Sequence, residues 1–138
     1  MPAPFLALAV GGVVAVGVLA ACQKVLSEAR MRPLSTLAGT EWGMADGERI
    51  VAFKKGGEVV GSGGCNSFFG TFDQDGDAVT FGPLASTRKA CPPDVMDAER
   101  DWLDLLGRTR RVDATAMELV LYGSADEELA RLRRRDRD

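Results

Sequence analysis

The sequence predicts a mainly β domain with one helix, and three observations carry that expectation. From Ile50 onward, short segments alternate apolar with polar residues and are separated by clusters of Gly, Asp and Lys suited to tight turns. One stretch, residues 94 to 106, instead repeats its apolar residues at helical spacing, directly after Pro92 and Pro93. Between the first strands lies Gly61 to Gly70, GSGGCNSFFG, dense in glycine. Such density belongs where the backbone needs positive φ or where another segment must come close. The flanking strands favour close approach, which sets Cys65 at a tight corner.

With 138 residues, 46% hydrophobic and 27% charged, the chain suits one core rather than two. Its net charge of −3, with both signs interspersed, leaves no electrostatic footprint for nucleic acid.

The chain begins with an apolar run, Phe5 to Ala21, built only from Phe, Leu, Ala, Val and Gly. It suits the apolar part of an export signal. Its ending, Leu19-Ala20-Ala21-Cys22, resembles the bacterial lipobox, in which the cysteine is acylated and becomes the new N-terminus. Residues 1–21 are therefore expected to be a lipoprotein signal peptide, with Cys22 as the lipidation site. No lysine or arginine precedes the run, whereas Lys24, Arg30 and Arg32 follow it. Read as a spanning helix, that order would place the domain in the cytoplasm. Residues 22–36 mix charge with Pro33 and read as a flexible tether.

The domain is expected over residues 37–133, with Trp42 in its first segment. Ile50 to Phe53 and Glu58 to Gly61 flank a turn at Lys54 to Gly57, and Phe69 to Phe72 joins Val79 to Phe81 through a hairpin at Asp75-Gly76. The DQDGD run at 73–77 lacks the glycine and glutamate positions of a calcium loop. In the helix, Asp94 is the expected N-cap and Gly107 the expected stop. Val95, Ala98, Trp102, Leu105 and Leu106 form its inner face, with Asp97, Arg100, Asp101 and Asp104 outside. Strands are expected at 111–115, 118–122 and 128–133, and residues 134–138 read as a solvated charged tail.

Three chemistries fit poorly. A phosphate loop needs Lys-Ser/Thr and a helix after its glycines, and strand follows here. A nucleophilic Cys65 needs a base to lower its pKa, and the chain contains no histidine. A carboxylate hydrolase could draw on Asp73, Asp75, Asp77 or Glu99, but aspartates at a hairpin tip are poorly held. No cofactor is expected.

Trp42, the GSGGCN corner (Gly61, Gly63, Gly64, Asn66), Gly70 between Phe69 and Phe72, LASTRKAC at 84–91 (Ser86, Thr87, Arg88), Glu99 and Trp102 form a set that resembles the META domain of HslJ-like proteins. The resemblance spans about Leu37 to Leu132. It implies a small antiparallel barrel-like domain of lipocalin-type architecture with one helix between strands. Closure would also remove the unprotected edges of so many short strands. It implies no shared catalytic chemistry, and associates the family with envelope stress and drug tolerance, some members being lipoproteins. With Cys22 assigned to lipid, an exported chain leaves Cys65 and Cys91 as one pair, and both match cysteines of the resembling family. A disulfide between them is expected, with two buried thiols as the alternative.

The functional expectation is a noncatalytic, lipid-anchored module of the bacterial cell envelope, facing the periplasm. It would reach the membrane through Cys22 and bind an unknown envelope protein or small ligand. A carboxylate hydrolase, or an inhibitor that occupies another envelope protein, is the alternative.

Overall fold

Alternation places Val51 and Phe53 on one face of their strand and Phe68 and Phe72 on the same face of another; burying these sets together curls the sheet into a ring. A computed structural model of the chain describes residues 13–136. Two helices, α1 (Val13–Met31) and α2 (Pro93–Arg108), accompany nine strands: β1 (Thr40–Gly43), β2 (Arg49–Phe53), β3 (Glu58–Gly63), β4 (Ser67–Asp75), β5 (Ala78–Phe81), β6 (Ala85–Ser86), β7 (Arg111–Ala114), β8 (Glu118–Tyr122) and β9 (Glu128–Arg134). Eight of them close an antiparallel barrel in the order β3-β2-β1-β9-β8-β7-β5-β4, sealed by the β3–β4 pairing. Strand β6 is a short rung on β4, matching Phe68 with Ser86 and Phe69 with Ala85. The expected lipocalin-type barrel is present.

The interior is filled by side chains. Trp42, Phe53, Phe68, Leu119, Leu121 and Leu132 are buried from the strands, with Trp102 and Leu106 from α2. Each contributes about 1.5–3 kcal/mol of burial. The Phe53 and Phe72 rings meet edge to face, their centroids 4.8 Å apart. Trp42 Nε1 donates to Thr40 Oγ1 (2.6 Å), which donates to the Leu37 carbonyl (2.6 Å).

The turns fall where the sequence places them. Gly56 and Gly57 take φ of 94° and 84° between β2 and β3, and Gly76 takes 61° between β4 and β5. Because the strands alternate in direction, the turns at 54–57, 76–77 and 115–117 share one rim. The β3–β4 corner and the turn at 123–127 share the other.

Several expectations are corrected. The N-cap of α2 is Pro92, with Pro93 opening the helix, so Asp94 lies in the first turn and makes no cap. The helix passes Gly107 and ends at Arg108, where the Thr109 N–H bonds the Leu106 carbonyl. Ala98 is exposed, and Glu99 takes its place on the inner face. The segment read as a tail is paired through Asp136: the Arg135 N–H bonds the Glu41 carbonyl, and Arg134, its side chain only 7% exposed, pairs with Asp136 over the Trp42 ring.

The segment read as a tether is helical to Met31. Leu34 then donates to the Ala114 carbonyl (2.9 Å), so pairing with the barrel starts ahead of Leu37. Met1 to Gly12 of the expected signal segment lie outside the described residues, as do Arg137 and Asp138. Among the described residues no helix is long and apolar enough to cross a membrane.

Candidate functional site

The glycine corner between β3 and β4 gathers most of the residues singled out in the sequence. Gly61 and Gly63 face inward, and each is a place of close approach. A Cβ on Gly61 would overlap the Ile50 carbonyl and lie 2.5 Å from the Phe68 ring. One on Gly63 would collide with the Glu99 side chain, 2.9 Å from Oε2. Gly64 turns the chain with φ of 110°. Gly70 leaves room for Leu84 and the Pro83 carbonyl.

Into the space left by Gly63 comes the carboxylate of Glu99, 5% exposed. Its Oε2 accepts from the backbone N–H of Asn66 (2.6 Å) and of Cys65 (3.1 Å), and its Oε1 accepts from Asn66 Nδ2 (2.7 Å). Burial works to raise the Glu99 pKa. The bonds from the Asn66 backbone, the Asn66 side chain and the Cys65 backbone outweigh it, and the carboxyl is held below the usual glutamate range.

Asn66, also buried, relays the contact to the next segment. Its Oδ1 accepts from Thr87 Oγ1 (2.9 Å) and from the Lys89 N–H (2.6 Å). Thr87 completes the link, its N–H donating to the Ser67 carbonyl (3.0 Å) and its Oγ1 accepting from the Ser67 N–H (3.2 Å). Beside it the expected disulfide joins Cys65 to Cys91, Cα atoms 6.2 Å apart. The strand corner, the 87–91 segment and α2 are thereby fastened at one point.

Chemically this is a strut. Every carboxylate oxygen of Glu99 and the amide oxygen of Asn66 is occupied by protein donors. The residues the sequence offered as a carboxylate pair are not brought together: Asp73, Asp75 and Asp77 are exposed along the β4–β5 hairpin, toward the rim away from Glu99. No cluster of three potential metal ligands occurs among the described residues. Ser86 and Arg88 are exposed outside the network, Trp42 and Trp102 are core, and Cys22 is an exposed free thiol on α1.

The sequence reading missed the burial of Glu99. A signal existed: Glu99 stands four residues after Val95, three before Trp102 and seven before Leu106, on the apolar stripe itself.

An eight-stranded antiparallel barrel whose helix is pinned by a buried carboxylate and a disulfide defines a class of small β-barrel domain. The chain belongs to the META domain family, whose pattern matches residues 33–136. Two solved structures resemble it. One, an NMR structure of a protein from Burkholderia xenovorans, is 22% identical with a TM-score of 0.58, covering 73% of this chain and 85% of its own. The other, also an NMR structure, is 22% identical with a TM-score of 0.52, covering 72% of this chain and 90% of its own. At that identity the likeness concerns the fold alone. None of the curated proteins matches the chain.

Proposed function

We propose that the protein is a noncatalytic binding module of the bacterial cell envelope, anchored by lipid at Cys22 with its barrel facing the periplasm, and associated with envelope stress. The observation that carries the noncatalytic part is the use made of Glu99 and Asn66. The chain's best-positioned polar side chains are spent on holding α2 to the β3–β4 corner, and the barrel interior is occupied by Trp42, Trp102, Phe53 and Phe68. Binding of an envelope protein or small ligand therefore falls to the outer surface. The anchored part is supported by the Leu19-Ala20-Ala21-Cys22 sequence and by the exposure of Cys22.

Intact mass of the membrane-purified protein tests the anchor: a mature chain starting at Cys22 with acyl chains is expected, and retention of residues 1–21 would overturn it. Crosslinking in intact envelopes followed by affinity capture tests binding. An enzymatic activity abolished by Glu99→Gln or Asp75→Asn in a folded protein would replace this reading with hydrolysis.

A further inference from the structure

Large apolar side chains exposed among the described residues have an uneven distribution. From Cys22 onward, Val25, Leu26 and Met31 lie on α1 and Met117 lies at the β7–β8 turn, leaving only Phe69 elsewhere. The helix and the turn belong to the same end of the molecule. Leu34 bonds to Ala114 and Pro33 bridges to Thr115, so α1 stops beside the rim that carries 115–117. A groove of roughly 650 Å³ separates them, lined by Val25, Ala29, Leu34 and Ala116 with Glu28 and Arg32 at its side.

Basic residues flank this apolar end. Arg30 and Arg32 stand at the end of α1, and Lys54 and Lys55 are exposed at the β2–β3 turn on the same rim. The rim also holds Asp75 and Asp77 at the β4–β5 turn, so the positive charge is local to those four side chains. The opposite rim is also mixed in charge, with Asp97 and Asp104 on α2 paired with Arg100 and Arg108 and with Arg88 and Lys89 exposed nearby, so what distinguishes the near rim is its exposed apolar side chains. An apolar patch edged by lysine and arginine, on the same helix as the proposed lipid site Cys22, matches the chemistry of an anionic lipid surface.

We propose that the rim formed by Ala116, Met117 and the α1 junction rests on the membrane, so that the barrel stands end-on with the Glu99 corner pointing away. This rests on the anchored reading above. Met117 and the apolar side of α1 enter the boundary between headgroups and acyl chains, and Arg30, Arg32, Lys54 and Lys55 meet lipid phosphates. The surface left for a partner is then the far rim, with Ser86, Arg88 and the charged outer face of α2.

The test uses the full chain, processed and lipidated in cells, in vesicles of phosphatidylglycerol and phosphatidylethanolamine. A nitroxide is placed through Met117→Cys and, as the far-rim reference, through Ser124→Cys. With Cys22 acylated and Cys65 bridged to Cys91, each chain takes one label. The label at 117 is expected to be reached by oxygen and shielded from a water-soluble nickel chelate, and the label at 124 to show the reverse. Equal chelate access at both positions on a singly labelled, vesicle-bound chain overturns the orientation while leaving the anchor standing. Two labels per chain, the second on Cys22, overturn the anchor and the orientation with it. Hydrogen exchange of the unsubstituted chain covers the case in which a variant does not fold: amides of 115–117 should slow on these vesicles and those of 124–126 should not. Unchanged exchange at 115–117 overturns the proposal.

Discussion

Asn66 donates twice to Glu99, through its backbone N–H at 2.6 Å and its side-chain Nδ2 at 2.7 Å, and these bonds tie a strand corner to a helix 33 residues away in sequence. Removing the carboxylate leaves the Cys65 and Asn66 N–H groups without their acceptor in a buried place. Glu99→Ala should therefore cost about 3 kcal/mol, the scale of charge-assisted bonds lost with donors left unpaired. Urea denaturation monitored by tryptophan fluorescence measures it, and a loss below about 1 kcal/mol would contradict the strut.

The same carboxylate makes stability depend on acid. Folding lowers the Glu99 pKa, so protonation favours the unfolded chain. The contribution is complete above the ordinary glutamate range and disappears as pH falls through the lowered value. Asp136, held to about 2 chiefly by its hydrogen bond from Arg134 against the opposing effect of burial, extends the loss downward from the ordinary aspartate range. Denaturation midpoints between pH 7 and pH 2 should fall across this window, and Glu99→Gln should flatten the upper part of the slope. An unchanged slope in that variant would assign the acid sensitivity to other groups.

Gly63→Ala tests the close approach of α2 to β3. The added methyl meets the Glu99 side chain, and either the carboxylate or the strand must move. A loss of about 1–3 kcal/mol is expected, as for other overpacked sites. Gly76→Ala sits in open space and meets only the strain of its positive φ, so it should cost less. Equal losses in the two variants would argue against crowding at Gly63.

The bridge between Cys65 and Cys91, 26 residues apart in sequence, limits the unfolded chain. Chain entropy puts its contribution at about 3.5 kcal/mol. Cys65→Ser paired with Cys91→Ser should lower the thermal midpoint, and nonreduced peptide mapping of the exported protein should recover the linked pair. Full alkylation of both thiols without reductant would exclude the bridge.

The β content, the hairpins and the single internal helix were legible because they rest on local chemistry. Alternation along β4 and β9, the short apolar runs of β2 and β8, the glycines at 56, 57 and 76 and the paired prolines before α2 act over a few residues, and no distant contact overrides them. The helix ends were misread for a local reason too. Asp94 is a good N-cap in isolation, but Pro93 already supplies helical φ and needs no donor, so the helix starts earlier.

What the sequence determined by itself was most of the list of parts: the strands from Ile50 to Phe81 and from Arg111 to Arg133, where the chain turns, and that Gly61 to Asn66 needs room, whereas β1, β6 and α1 emerged only in the structure. Their assembly required the third dimension. Closure of β3 on β4 brings Gly63 beneath α2, and only that approach turns Glu99 from an ordinary surface acid into a buried acceptor for Cys65 and Asn66. Arg134 and Asp136 change character in the same way, because β9 runs beside β1 and carries the basic end of the chain over Trp42. A charge on a sequence is solvated until packing removes the water, and packing is a property of segments far apart in the chain.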